Sequence, residues 1–189
     1  MPDLRAPNLR ELVDTYMPTT PEESEHRSAM LALIDQADAP LDRDHYHPGH
    51  FTASAFVLSP DMRSILLIFH GKLLRWLQPG GHFEPGDRDV EAAARREVGE
   101  ETGLSELDLL MAPLDLDVHV IPGRAGQPEH RHYDVRLLFG SRRIAVRAGD
   151  DAYDCRWLPL HECEQGDESV VRAVRTIRRY LAGLPSENP

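Results

Sequence analysis

The sequence predicts an α+β fold in which an N-terminal helical extension precedes one domain whose strands flank a single central helix. Three observations carry that reading. Apolar residues keep helical spacing from Asn8 to Met17 and from Pro21 to Gln36. The period switches to β near His50, after the stretch Pro40 to Gly49. Helical signals then return twice, around Asp89 to Thr102 and over Ser169 to Leu181, with strand patterns between them. The chain therefore divides into a helical extension, residues 1–40, and a domain, residues 41–189. At 189 residues and 41% hydrophobic content it is long enough to bury a core. No apolar run reaches the length of about 18 residues that a membrane span needs.

Each element has a local cause. Thr20 as cap and Pro21 at the first helical position announce the second helix. Phe51 to Leu58 is rich in strand formers, and Pro60-Asp61 marks a turn. Ser64 to His70 contains the run Ile65-Leu66-Leu67-Ile68-Phe69, suited to a strand buried on both faces. A hairpin is the simple outcome. A further strand, Leu74 to Leu77, leads into a glycine loop at Gly80-Gly81. The central helix has Asp87 or Asp89 to cap it, Glu91 near its positive end, the helix-forming run Ala92 to Ala94, and Gly103 where a left-handed cap belongs. Asp115 to Ile121 alternates, with Leu116, Val118 and Val120 on one face. After a Gly/Pro loop, His130 to Phe139 forms a strand with Tyr133, Val135, Leu137 and Phe139 toward the core. Asp154 to Leu158, a small helix from about Leu160 to Glu164, and the closing helix complete the order.

On the central helix the glutamates stand out. Glu97, Glu100 and Glu101 fall on one helix face within about one turn. Like charges at that spacing destabilise a bare helix by roughly 0.2–0.5 kcal/mol per pair. A divalent cation removes the repulsion, and hard oxygen donors suit Mg²⁺ or Mn²⁺ rather than zinc. The competing reading is a solvated acidic face paired with Arg95 and Arg96. The preceding glycines, Gly80, Gly81 and Gly86, bend the backbone so that main-chain oxygens can join the carboxylates.

Gly81 to Leu104 resembles the Nudix box: a glycine, five residues, an acid, seven residues, then Arg-Glu-apolar-x-Glu-Glu-x-Gly-apolar. Arg96 to Leu104 matches throughout, with Val98 and Leu104 in the apolar places. Asp87 stands where the family usually has Glu, and one extra residue precedes Arg96. The resemblance implies a mixed β-sheet sandwiched between helices. It also implies a Mg²⁺-dependent (or Mn²⁺-dependent) hydrolase in which water attacks a phosphorus atom of a nucleoside diphosphate derivative. By the family pattern Glu97, Glu100 and Glu101 are metal ligands, with the Gly80 carbonyl as a further ligand. Arg96 orients the carboxylates, and Glu100, Glu101 and Arg96 form the catalytic group. Glu101 and the cluster Asp150, Asp151 and Asp154 are candidates for the general base, a mobile polar loop being the other reading of that cluster. The family often pairs subunits, so a homodimer is expected. A nucleotide-sensing module that keeps the fold without the chemistry is the alternative, and an interaction protein built on its helical extension is a third.

Other signals stay open at the level of sequence. His132, Asp134 and Arg136 share the polar face of their strand and, with Asp151, are candidates for substrate contact; an edge strand with a wet face explains the first three equally. His45, His47 and His50 read as a polar loop, though a transition metal or a subunit contact can use such a group. Trp76, Phe83, Tyr133 and Trp157 either stack on a base or fill the core. Arg172, Arg175, Arg178 and Arg179 read as the solvated face of the last helix. A net charge of −11 argues against a nucleic-acid polymer as partner, while leaving a small anionic substrate open. Cys155 and Cys163 suggest neither a disulfide framework nor a zinc pattern and are expected as free thiols. The start of the chain carries no signal-peptide pattern, so a cytoplasmic location is expected.

Overall fold

The computed structural model describes residues 6–71, 73–124, 126–149 and 152–184. Helices α1 (Ala6–Thr15) and α2 (Pro21–Gln36) open the chain. Thr20 caps α2 by accepting the Glu23 amide hydrogen at 3.2 Å, while the buried Glu23 carboxylate accepts from the Thr19 amide at 2.5 Å. That exchange satisfies donors a helix start leaves free.

The sheet is organised by β1 (Gly49–Leu58), whose ten residues are all buried. On one side β1 runs parallel to β6 (His130–Ser141), in register from Gly49↔Arg131 to Leu58↔Gly140. Strand β6 in turn pairs antiparallel with β5 (Leu107–Ile121). On its other side β1 meets β2 (Ser64–His70) at Leu58↔Ile65 and β4 (Gly80–His82) at Thr52↔His82. Strand β2 pairs antiparallel with both β3 (Arg75–Leu77) and β7 (Ala152–Pro159). The expected β1–β2 hairpin is therefore present but brief, because β4 takes over the edge of β1 and β7 zips to β2.

Alternation along β1 sends Phe51, Ala53, Ala55 and Val57 to one face, where they pack with Val90, Ala93, Ala94 and Val98 of α3 (Val90–Thr102). Leu9, Val13, Met30 and Leu33 from the first two helices join the same cluster, so the extension shares the core of the domain. Phe56 and Leu58 point the other way, with Leu114 and Leu138, toward Val170, Ala173, Val174 and Ile177 of α4 (Glu168–Ala182). A mixed sheet between two helical layers results. A single 3-10 turn, Glu162–Gln165, precedes α4.

Three departures from the expected elements have plain causes. The first half of β5 extends back to Leu107 through Pro113, which lacks an N–H and coincides with register shifts between Leu109 and Asp115. Strand β4 forms from residues that read as loop, because glycines carry no strand signal. Arg172 is not on a solvated face: it turns in to Asp115, Asp117 and Glu22, whereas Arg175, Arg178 and Arg179 are exposed. No described helix is long and apolar enough to cross a membrane.

Met30 is fully buried where α2 meets the shared core. Met30→Ala is expected to cost about 2–5 kcal/mol in chemical denaturation, within a single cooperative transition. An extension that melts ahead of the rest would contradict the shared core.

Candidate functional site

Helix α3 is placed by its caps. Asp89 accepts from the Ala92 amide at 2.7 Å, and Gly103 ends the helix in the left-handed conformation at φ 73°. With Val90, Ala93, Ala94 and Val98 turned to the sheet, Arg96, Glu97 and Glu100 come to the side that faces the Gly80–Asp87 segment.

Arg96 gathers the box. Its guanidinium donates to both oxygens of Asp87 (3.1 and 2.9 Å), to Glu97 (2.9 Å), to Glu100 (3.0 Å) and to the His82 carbonyl (2.8 Å). Asp87, buried, also accepts from the Glu84 amide at 2.8 Å. The aspartate thus props the loop against the helix from one methylene less than a glutamate would have. Because α3 is continuous from Val90 to Thr102, the extra residue ahead of Arg96 leaves Arg96–Glu101 in helical register. Glu101, 8% exposed, accepts from the Gly80 amide at 2.9 Å. A Cβ on Gly81 would stand 2.5 Å from the Glu97 carboxylate, so only glycine lets Glu97 lie against β4.

The three glutamates are brought to one corner but not to one point. Glu97 and Glu100 share Arg96, while Glu101 is tied to β4. Burial pushes the Glu97 carboxyl above the usual range, against the pull of Arg96. Burial opposes the charge on Arg96, yet Asp87 and Glu97 hold it protonated well above its ordinary value. Three carboxylates, Asp87, Glu97 and Glu100, therefore face one guanidinium, with Glu101 tied to β4 beside them, and this oxygen-rich, negative donor set fits a hard divalent cation. The chain before Asp150 is also anchored here, as the Arg147 and Gly149 amides donate to the Thr102 and Glu101 carbonyls at 3.0 and 2.9 Å. Asp150 and Asp151 themselves lie outside the described residues. Asp154 is exposed on β7, with Arg156 at 3.9 Å.

The polar face of β6 is not a wet edge, because β6 lies between β1 and β5. Arg136, 2% exposed, donates to Asp134, Asp115 and Asp117 at 2.9, 3.1 and 2.8 Å. Asp134 accepts in addition from Thr52 and Ser54. Asp134 and Arg136 are thus turned to each other and present no surface to a ligand, a correction to their expected substrate contact. Burial pushes Asp115 up; for Asp117 burial is outweighed by Arg136, His119 and Arg172, which hold it well below the carboxylate range. Tyr133 and Phe83 are core residues, and Trp157 donates to the Ile144 carbonyl. Trp76 lies under the Arg156 guanidinium at 3.8 Å. A cavity of about 370 Å³ lined by Leu67, Trp76, Leu158, Cys163 and Val170 belongs to the α4 face and not to the glutamates.

His132 has a setting that sequence reasoning missed. It stands among His50, His82, His119 and His130, with ring centroids 4.9–5.6 Å away. The only available signal was the parity of positions 130 and 132, since the other rings arrive from separate strands.

Two outcomes follow from these networks. Arg136→Ala should destabilise the fold by about 3–5 kcal/mol, measured by denaturant titration, because it takes the central cation from three buried carboxylates of which only Asp115 and Asp117 keep another, Arg172. Burial, helped by neighbouring histidines, lowers His82 to about 4 and His132 to about 2 from 6.5. Above pH 6.5 neither affects stability; below it the unfolded chain takes up protons the folded chain refuses, so stability falls until about pH 4 for His82 and about pH 2 for His132. Equal denaturation midpoints in EDTA at about pH 7.5 and about pH 5.5 would contradict this.

Comparison with known proteins agrees with the geometry. The NUDIX domain family matches residues 48–179. No curated protein matches the chain. Among solved structures, a Caenorhabditis elegans Ap4A hydrolase binary complex is similar at 17% identity and TM-score 0.53, over 71% of this chain and 98% of that one. A NUDIX family hydrolase from Clostridium perfringens is similar at 23% identity and TM-score 0.53, over 74% and 99%. The NUDIX domain of Shewanella oneidensis NrtR complexed with ADP ribose is similar at 17% identity and TM-score 0.51, over 80% and 97%. At such identities these likenesses speak to the fold. The sequence match over residues 48–179, on a sheet and helix that hold Arg96 and the glutamates together, establishes that the chain belongs to the Nudix family and is a hydrolase acting on phosphoric anhydride bonds.

Proposed function

We propose that the protein is a Mg²⁺-dependent hydrolase that cleaves the diphosphate linkage of a nucleotide or related nucleoside diphosphate derivative by water attack on phosphorus. The observation that carries this reading is Arg96, which pins Asp87, Glu97, Glu100 and the β4 backbone together. In this reading residues 41–189 are the hydrolase unit and residues 1–40 a helical extension, whose helices α1 and α2 pack on it.

In this reading Glu97, Glu100 and Glu101 hold the cation, with the Gly80 carbonyl as a further donor. Bound Mg²⁺ supplies charge neutralisation and lowers the pKa of a water molecule. The residues do the rest. Arg96 fixes the carboxylates before substrate arrives, which limits reorganisation during the reaction. Glu101 is held against Gly80 and is a candidate base, together with Asp150, Asp151 and Asp154. Asp134 and Arg136 stiffen the sheet, while His132 and Asp151 remain the candidates for substrate contact. The Ap4A hydrolase and ADP-ribose complexes among similar structures support a nucleotide-type ligand. Free Cys155 and Cys163 fit a reducing, cytoplasmic setting. Pairing into a homodimer is part of the same proposal.

The test is a panel of nucleoside triphosphates, nucleotide sugars, ADP-ribose-like compounds and dinucleoside polyphosphates with Mg²⁺ or Mn²⁺, read as phosphate or pyrophosphate release. Glu100→Gln should lose at least about 100-fold in turnover with little change in thermal stability. No turnover across the panel, or equal turnover by the variant, would sink the proposal. Because the Glu97 carboxyl is raised, Mg²⁺ should begin to lose affinity at a higher pH than an ordinary glutamate near 4.5 would cause, as protons compete for that ligand. Calorimetric Mg²⁺ titrations at falling pH, run on the unaltered protein and on Glu97→Gln, read it directly, and the same pH dependence in both would count against Glu97 as a ligand.

A further inference from the structure

Five histidines from four strands converge on the sheet face opposite α3. His50 on β1 is the register partner of His132 on β6, and His132 is the partner of His119 on β5. His82 enters from β4, with its ring 5.0 Å from His50 and 5.1 Å from His132. His50 and His130 stack at 5.1 Å. Each of His50, His130 and His132 offers one ligand atom within 4.8 Å of the others'.

The tautomers are set by their outer partners. His50 Nδ1 lies 3.2 Å from the His45 carbonyl oxygen, and His130 Nδ1 lies 2.9 Å from that of Pro128. A carbonyl oxygen only accepts, so in both rings Nδ1 carries the hydrogen and Nε2 keeps its lone pair. The Nε2 of His50, a residue 1% exposed, is buried and has no hydrogen-bond partner among the described residues. A buried acceptor with nothing to accept is costly, and the rings of His82, His130 and His132 surround this one. Imidazoles that donate one N–H to a backbone carbonyl and aim the other nitrogen inward are arranged as metal ligands are.

We propose that His50, His130 and His132 form a second metal site, distinct from the glutamates, for a transition metal of the Zn²⁺ class. Three neutral nitrogens without a carboxylate or thiolate suit Zn²⁺, Co²⁺ or Ni²⁺ and not Mg²⁺. Three protein ligands leave a fourth position for water or for His82 at the margin. The two sites are joined through β4: Gly81 faces Glu97, while the next residue, His82, puts its ring into the histidine group and its carbonyl on Arg96.

The test uses full-length protein stripped with EDTA and then titrated with Zn²⁺ in excess Mg²⁺, with Co²⁺ as a spectroscopic probe. One equivalent should bind, Co²⁺ should show the visible absorption of a low-coordinate nitrogen site, and Zn²⁺ should raise the melting temperature. His132→Asn and His130→Gln should each weaken binding by more than the roughly 10–100-fold that loss of a supporting partner causes. Glu97→Gln/Glu100→Gln should bind as the unaltered protein does. His45→Ala, which removes a side chain while keeping the carbonyl that holds His50, serves as the folding control and should also bind. Failure of the unaltered protein to bind Zn²⁺ or Co²⁺ would overturn the site. So would histidine variants that bind unchanged, or loss of binding on removal of the glutamates alone.

Discussion

The parallel pairing of β1 with β6 is the constraint on which the rest of the molecule depends. It runs from Gly49↔Arg131 to Leu58↔Gly140 and is buried throughout β1. Because side chains alternate along a strand, this one register decides what each face receives. One face collects Phe51, Ala53, Val135 and Leu137 under α3; the other collects His50, Thr52, His132, Asp134 and Arg136. A slip by one residue would place charges in the core under α3 and apolar groups among the polar side chains of the other face. A parallel pairing also needs a long connection between its strands, and here that connection includes α3, which bears the glutamates.

Electrostatics then divides the two faces. At α3 the carboxylates outnumber the guanidinium that binds them, and a residual negative charge sits beside backbone that glycine allows to approach closely. Across the sheet, Arg136 and Arg172 confront Asp115, Asp117 and Asp134 in a nearly dry layer. The first arrangement is open to a cation; the second is saturated by its own partners. Charge excess with access, rather than the mere presence of charged residues, separates a site from a strut.

Local chemistry was legible residue by residue. Thr20 and Pro21 fixed the start of α2, Asp89 and Gly103 bounded α3, and the run Ser64 to His70 became β2 at those limits. The Arg96–Glu101 pattern pointed to the acidic corner before any contact was known. What escaped notice lacked a short-range signal. Gly80–His82 pairs as a strand only because Thr52 to Ser54 is there to receive it. Leu107 to Pro113 is strand because β6 holds it, despite the proline. Arg172 turns inward because Asp115 and Asp117 wait on β5.

The sequence by itself determined the α+β order, the family pattern and the carboxylates that carry the proposed chemistry, since periodicity, caps and motif spacing are written within a few turns of chain. Only the tertiary structure decided that Asp87 props the loop through Arg96, that Asp134 and Arg136 are locked in a buried network, and that histidines distant in sequence share one pocket. Those outcomes depend on which strands become neighbours, and burial sets the cost of every unpaired polar group there. Neither neighbour nor burial is a local property of the chain.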